Sequence, residues 1–164
     1  SETEPNYFVY GYTGTSVSEA KTSENFQNYG VLYNWPAAIN ACPNGWHLPT
    51  NEDWEQLAKH VSDENGGYSN KESYWYNVGI HLKSETLWRS NGAGTDDYGF
   101  AGLPGCFRSF DGKFYNIESD AYWWSATEES NGFAWHRNMK FSSTSIFRGK
   151  YFKNMAYCVR CLKD

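Results

Sequence analysis

Apolar side chains recur with helical spacing in one segment of the first half of the chain. Four of them lie at positions i, i+3, i+4 and i+7, on one face of a helix: Trp54, Leu57, Ala58 and Val61. Thr50 precedes this stripe as an N-cap, and Asp53 follows three residues later, as in a capping box. The pattern predicts a helix that begins at Thr50 and ends near residues 60–62, before a Gly-Gly turn.

The second half of the chain carries the short runs and turn signals of β structure. Asp111-Gly112 stands between two strand-like runs, 107–110 and 113–116, and predicts a hairpin. Further strands are expected at residues 122–125, 134–141 and 156–162. A short helix is expected at residues 34–41, where Asn34 supplies a cap and Pro36 lies in the first turn. Because the predicted helices lie in the first half of the chain and most of the predicted strands in the second half, the α+β class is favoured.

No repeat, low-complexity tract or long linker divides the 164 residues, which are therefore interpreted as a single domain. Residues 1–28 are polar and are expected to form a tail with a strand or loop, ahead of a compact part at 29–164. The chain opens at Ser1 without a Met. This favours a processed chain, with any signal peptide or lipid anchor upstream.

The composition points toward binding. Phe, Trp and Tyr make up 19% of the chain although the mean hydropathy is −0.75, and such side chains serve cores, interfaces and sugar-stacking surfaces. The net charge of −5 is spread without a basic block, which argues against nucleic acid as a partner and against direct contact with an anionic membrane. No apolar run approaches the roughly 20 residues of a membrane span.

Catalytic and metal chemistry find little support in the sequence. His47 lies just before the predicted helix, where a buried histidine bonded to backbone is favoured over a base or a metal ligand. The other histidines lack zinc-site spacing. Loop acids could bind calcium or hydrolyse a glycosidic bond, but a solvated surface role is preferred for them: Asp96, Asp97, Glu118, Asp120, Glu128 and Glu129. We expect no metal, no cofactor and no enzyme activity.

Four cysteines are an even number, compatible with two disulfides in an oxidising compartment or with four reduced core thiols. Cys158 and Cys161 have CxxC spacing, but the surrounding residues read as a strand. Side chains three apart on a strand point to opposite faces. Two separate bridges, to Cys42 and Cys106, are therefore favoured over a redox or zinc pair.

Bulky aromatic and basic side chains mix in residues 145–155 without the alternation of a strand. Exposed aromatics beside Arg and Asn are typical of interface hot spots, so we predict a recognition surface rather than an irregular loop. The candidate contacts are Trp123, Trp135, Arg137, Asn138, Lys140, Phe147, Arg148, Tyr151, Phe152 and Lys153. A monomeric domain would bind a protein or a glycan there. The alternative is a structural or adhesin-tip domain that assembles with neighbours.

Five motifs, in order along the chain, resemble the Fibrobacter succinogenes major paralogous domain family: NYGVLYNWPAA (28–38), ACPNGWHLPT (41–50), GFAGLPG (99–105), YWWSATE (122–128) and VRCLKD (159–164). The resemblance implies a secreted or surface lipoprotein setting. It also implies the C-type lectin-like fold of formylglycine-generating (sulfatase-modifying) enzymes, with two short helices and a twisted antiparallel sheet with long loops. Cys42 and Cys161 recur in the relatives, which implies that they pair, and Cys106 and Cys158 are then expected to form a second bridge.

Two finer resemblances bear on function. Formylglycine-generating enzymes use a cysteine pair before the closing Arg-Cys, but residues 147–155 contain no cysteine, so that catalytic site does not carry over. Residues 135–141 through 159–161 are similar to the variable region of proteins diversified by diversity-generating retroelements. Those proteins share the lectin-like fold and place variable side chains on one ligand-binding face.

Overall fold

The computed structural model of the protein describes residues 1–70 and 72–164 and contains a large sheet with a few short helices. The helices are α1 (Val17–Thr22), α2 (Glu24–Tyr29), α3 (Trp35–Ala38), α4 (Asn51–Asn65) and α5 (Gly79–Leu82). The strands are β1 (Tyr7–Phe8), β2 (Leu32–Asn34), β3 (Trp46–His47), β4 (Tyr68–Ser69), β5 (Tyr74–Tyr76), β6 (Gly105–Arg108), β7 (Phe114–Ile117), β8 (Asp120–Ser130), β9 (Phe133–Lys140), β10 (Ile146–Phe152), β11 (Ala156–Tyr157) and β12 (Leu162–Lys163). This mixture of helices and strands agrees with the predicted α+β class.

The predicted long helix is confirmed as α4, and its start has the expected chemistry. Thr50 Oγ1 accepts a hydrogen bond from the Asp53 backbone N–H (3.2 Å), and the Asp53 carboxylate accepts one from the Thr50 N–H (2.8 Å). The helix continues to Asn65, a few residues beyond the expected end. It stops where Gly66 adopts a left-handed φ of 67°, a conformation that costs glycine little.

Ten strands of the described chain join one sheet in the order β1-β2-β11-β6-β8-β9-β10-β5-β4, with β7 paired to β6. The predicted hairpin is confirmed, since β6 and β7 pair antiparallel with Phe107 opposite Tyr115. The expectation of an antiparallel sheet needs one correction: β6 and β8 pair in parallel through Cys106 and Ala121. They can do so because the β7 hairpin turns the chain back before β8 begins.

Two segments are more regular than the sequence indicated. The expected N-terminal tail contains α1, α2 and β1, and β1 joins the sheet beside β2. Residues 146–152, expected to lack strand character, form β10, which pairs with β9 from Ile146 opposite Met139 to Phe152 opposite Phe133. Alternation is hidden in the sequence of β10 because bulky side chains have partners on both faces of this strand.

The two faces of the β8-β9-β10 region differ in what covers them. On one face, α4 and α5 pack their apolar stripe against the sheet, in a core of Trp54, Ala58, Val61, Val78, Leu82, Ala121, Trp123, Met139 and Ile146. On the other face, a second core covers only part of the sheet, around Ala38, Leu48, Trp124, Ala134, Met155 and Tyr157. The rest of that second face is open.

The cysteines confirm one predicted bridge and contradict the other. Cys42 and Cys161 form a disulfide, which fastens the chain end next to the β3–β12 pair. Cys106 and Cys158 are free thiols, so the expected second bridge is absent. Burial raises the pKa of Cys158 to about 12 and also raises the pKa of Cys106. Both thiols therefore stay protonated, and the thiolate needed for disulfide exchange is scarce.

Across residues 1–70 and 72–164, no helix combines the length and the apolarity that crossing a membrane requires.

We predict that the disulfide contributes a large share of the stability. The Cys42→Ser/Cys161→Ser variant should unfold in urea with a free energy about 2–5 kcal/mol below that of the oxidised protein, because the bridge closes a long loop, with a sequence separation of 119 between its two cysteines. Reduced wild-type protein is the matched control and should behave like the variant. Equal stability of oxidised and reduced wild type would contradict the prediction.

Candidate functional site

A cleft of about 970 Å³ opens on the sheet face that lies opposite α4. Strands β8, β9 and β10 form its floor, and the β6–β7 hairpin with residues 72–74 borders it. Its lining includes Tyr74, Phe107, Tyr122, His136, Asn138, Phe147, Tyr151 and Tyr157. Most of these side chains are aromatic.

Strand register explains why the floor residues share one face. Tyr122 lies opposite Asn138, and Asn138 lies opposite Phe147, across three neighbouring strands. His136 lies opposite Gly149 in the next row of the same face. Because side chains alternate along a strand, residues between these positions point toward α4 instead.

His136 is the most unusual group in the cleft. Its side chain is buried, and its Nδ1 atom has no hydrogen-bond partner within the described residues. The rings of Tyr157 and Tyr122 stand 5.2 and 5.9 Å away. Burial, with a smaller contribution from the charge of Arg137, lowers the pKa of His136 to about 3. The imidazole is therefore neutral at physiological pH and offers one donor and one acceptor.

Two neighbours of His136 shape the floor. The Asn138 side chain is buried and makes no hydrogen bond in the part of the chain that the structure describes. Gly149 allows the imidazole and the Phe147 ring to pack against the backbone of β10: a Cβ atom at this position would come within 2.8 Å of His136 Cε1 and 2.6 Å of Phe147 Cε1, too close for either ring. The floor thus combines unused hydrogen-bonding groups with a close approach of side chains to backbone that only glycine allows.

Aromatic rings in mutual contact fix the walls. Phe107 meets Tyr122 with ring centroids 5.0 Å apart, and Tyr74 meets Phe147 at 4.9 Å. The Tyr122 hydroxyl donates to Asp120 (3.0 Å), and burial raises the Tyr122 pKa, so the phenol stays neutral. Rigid rings of this kind supply contact area at a small entropic cost.

Lys83 holds one end of the cleft in place, a role that no pattern in the sequence predicts. Its buried ammonium group donates to the carbonyl oxygens of Gly92 (2.7 Å), Ser143 (3.1 Å) and Lys140 (3.3 Å). Burial lowers the Lys83 pKa. These bonds fasten the turn that follows β9, where Lys140 and Ser143 border the cleft.

Four of the predicted contact residues belong to the opposite face. Trp123 is buried against Trp54 of α4, and Arg137 is buried with its guanidinium 3.0 Å from the Glu55 carboxylate. Arg148 also reaches Glu55 (3.4 Å) and lies over the ring of Trp135. The expectation that these side chains share one exposed face is wrong, because strand alternation turns them toward α4.

The other predicted residues divide between the cleft and its surroundings. Asn138, Lys140, Phe147 and Tyr151 line the cleft. Trp135 and Arg148, which are their neighbours along β9 and β10, also border it. Lys153 is buried in an ion pair with Glu128. Phe152 packs on Phe133 with ring centroids 4.6 Å apart. The cleft is therefore less basic than the recognition surface that the sequence predicted.

Several cleft residues were not among the candidates, although the sequence held a signal for one of them. His136 alternates with the candidates Asn138 and Lys140 along a predicted strand, and polar residues at alternate positions mark one solvent-facing or site-facing side. The contributions of Tyr74, Phe107 and Tyr122 could not be found in this way, because distant segments bring them to the cleft.

Within residues 1–70 and 72–164, no group of three or more His, Cys, Asp or Glu side chains is arranged to hold a metal ion.

The fold and the cleft define an α+β domain with an aromatic cavity built on its central strands. The chain matches the model of the Fibrobacter succinogenes major domain over residues 2–163 and belongs to this family. No curated protein and no solved structure shows significant similarity to it.

The state of His136 generates a prediction about acid stability. An unfolded histidine titrates near about 6.5, whereas burial lowers the folded pKa to about 3. As the pH falls between these values, the unfolded state takes up the proton first. This residue should therefore lower the free energy of unfolding by up to about 1.4 kcal/mol per pH unit.

Urea unfolding of wild type and His136→Phe at several pH values from about 7 to about 4 tests this sign. The variant should lose stability less steeply toward acid. His60→Gln, at an exposed position of α4, serves as the matched control and should follow wild type. Parallel curves for wild type and His136→Phe would show that His136 is not held neutral.

Proposed function

We propose that this domain is a ligand-binding module, without catalytic activity, whose cleft receives an uncharged part of a protein or glycan ligand. The observation that carries the proposal is His136, a neutral and buried imidazole whose Nδ1 has no partner among residues 1–70 and 72–164, on the floor of an aromatic cleft. Buried polar groups in proteins nearly always have partners. We therefore expect a ligand to supply the hydrogen bond that His136 Nδ1 lacks.

The chemistry of the floor supports an uncharged occupant. Three of the nearby basic groups pair with acids: Arg137 and Arg148 with Glu55, and Lys150 with Glu129 (2.5 Å). Lys140 also lines the cleft, as the exposed last residue of β9. A charged group placed on the floor beside His136 would lose its hydration, which is costly. Sugar rings that carry hydroxyl groups, or a peptide segment with an aromatic side chain, could pack on the aromatic walls and form hydrogen bonds with the side chains of His136 and Asn138.

A finer proposal concerns the type of fold and the location of the domain in the cell. The family supports the C-type lectin-like fold of formylglycine-generating enzymes, and the Cys42–Cys161 disulfide supports an extracytoplasmic position, as a surface lipoprotein or secreted protein. The domain would then present the cleft to the outside of the cell. Loops and strands at its mouth would be the region diversified by a retroelement, if an adjoining template repeat and reverse transcriptase gene accompany it.

We predict that two substitutions in the cleft weaken binding. Glycan and peptide arrays first identify a ligand of wild type, and calorimetry then measures its affinity. Gly149→Ala should reduce the affinity at least about tenfold, because its methyl group displaces the rings of His136 and Phe147 from their positions on the floor. Tyr151→Ala should also weaken binding, with little change in melting temperature, because this side chain is 40% exposed.

Tyr68→Ala is the matched control, since Tyr68 is an exposed aromatic residue (63%) outside the cleft. It should bind like wild type. Unchanged affinity in Gly149→Ala would contradict the assignment of the cleft. Failure to bind any array component, together with self-association in light scattering, would favour the alternative of a structural or adhesin-tip domain.

A further inference from the structure

A second cavity, of about 520 Å³, lies on the other side of the β6–β7 hairpin. Alternation along this hairpin separates the two cavities. Phe107 and Tyr115 are paired and border the cleft, whereas the next pair, Arg108 and Phe114, borders the second cavity. The segment that contains β1 and α1 closes its far side. This cavity is independent of the proposed function of the cleft.

The lining of the second cavity is mainly apolar. It includes five aromatic rings and several aliphatic side chains: Tyr7, Phe8, Tyr12, Phe26, Phe114, Val9, Val17, Ala20 and Val31. The charged residues in its lining are Arg108 and Lys21, and no Asp or Glu is among them. The cavity therefore combines a hydrocarbon environment with positive charge.

Arg108 is held in a fixed position but keeps its hydrogen-bonding capacity. Its guanidinium carbon lies 4.1 Å from the ring centroid of Phe8 and 6.0 Å from that of Phe114. Among the described residues, its side chain makes no hydrogen bond and no ion pair. Gly112 leaves room beside it, since a Cβ atom there would stand 3.1 Å from Nη2.

The nearest acid does not neutralise this guanidinium. The carboxylate of Asp111 accepts hydrogen bonds from the Lys113 backbone N–H (3.0 Å) and from the Tyr115 hydroxyl (2.8 Å), and no salt bridge links it to Arg108. Burial lowers the pKa of Arg108, and the charge of Asp111 opposes this shift only in part. A half-buried cation with free donors is thus left facing an apolar cavity.

We propose that the second cavity binds a small monocarboxylate with a hydrocarbon body, its carboxylate paired with Arg108 and its apolar part against the rings around Phe8. A guanidinium matches a carboxylate in planar, two-bond geometry. The guanidinium carbon lies over the ring of Phe8, which accepts no hydrogen bond in the plane of the guanidinium N–H groups as a carboxylate would. A pocket that is mostly apolar with a few fixed polar groups is the usual form of a small-molecule site.

The wild-type protein tests the charge requirement directly. Calorimetry compares octanoate with octanamide, and 3-phenylpropanoate with 3-phenylpropanamide. Each carboxylate should bind at least about tenfold more tightly than its neutral amide, and the better of the two carboxylates shows whether the apolar body is aliphatic or aromatic. Equal affinity of acid and amide, or no measurable binding of either carboxylate, would overturn the proposal.

Variants then locate the binding site. Arg108→Gln should remove the preference for the carboxylate, whereas Arg108→Lys should keep part of it. Arg89→Gln is the matched control, because Arg89 lies at the same 4.1 Å from a ring, that of Phe141, outside both cavities. It should bind like wild type, and so should Gly149→Ala. A carboxylate preference that survives in Arg108→Gln, or is lost in Gly149→Ala, would show that the carboxylate binds elsewhere.

Discussion

The alternation of side chains across β8, β9 and β10 is the constraint on which the rest of the structure depends. One set of positions carries Trp123, Arg137 and Met139 into the interface with α4, where Trp54 and Glu55 receive them. The other set carries Tyr122, His136 and Asn138 to the opposite face. The same three strands therefore build the core and the floor of the cleft, and a shift of register by one residue would exchange the two.

This constraint also explains how charge is distributed. Glu55 accepts hydrogen bonds from Arg137 and from the indole N–H of Trp75 (2.6 Å), and it also pairs with Arg148. Basic side chains that look like a binding surface in the sequence are thereby used to attach the sheet to α4. The cleft on the other face keeps its aromatic walls and the neutral polar groups of His136 and Asn138, with Lys140 at its border.

Local signals in the sequence predicted the local structure well. The capping box at Thr50 and Asp53, the Asp111-Gly112 hairpin and the Asn34 cap all depend on residues a few positions apart, and each is present. The class of the fold followed from the order of such elements. The Cys42–Cys161 bridge came from the family resemblance, because two cysteines separated by 119 residues contain no local signal for their pairing.

The features that the sequence could not supply are those that need the tertiary arrangement. β10 has bulky residues at every position except Gly149, so its two faces become distinguishable only when Glu55 and the cleft are both in place. A second bridge between Cys106 and Cys158 was expected because the chain has four cysteines and the other two pair with each other. The two thiols are free, and burial raises their pKa values, so that both stay protonated. The position of His136 in the cleft required rings from β6, β8 and β11.

A crystal structure of the domain with the strongest ligand from the arrays would locate the binding site. We predict that the ligand lies in the cleft beside Gly149, in contact with the ring of Tyr122 and within hydrogen-bond distance of His136 or Asn138. A ligand bound on the α4 face around Glu55, or at a surface remote from β9 and β10, would contradict this prediction.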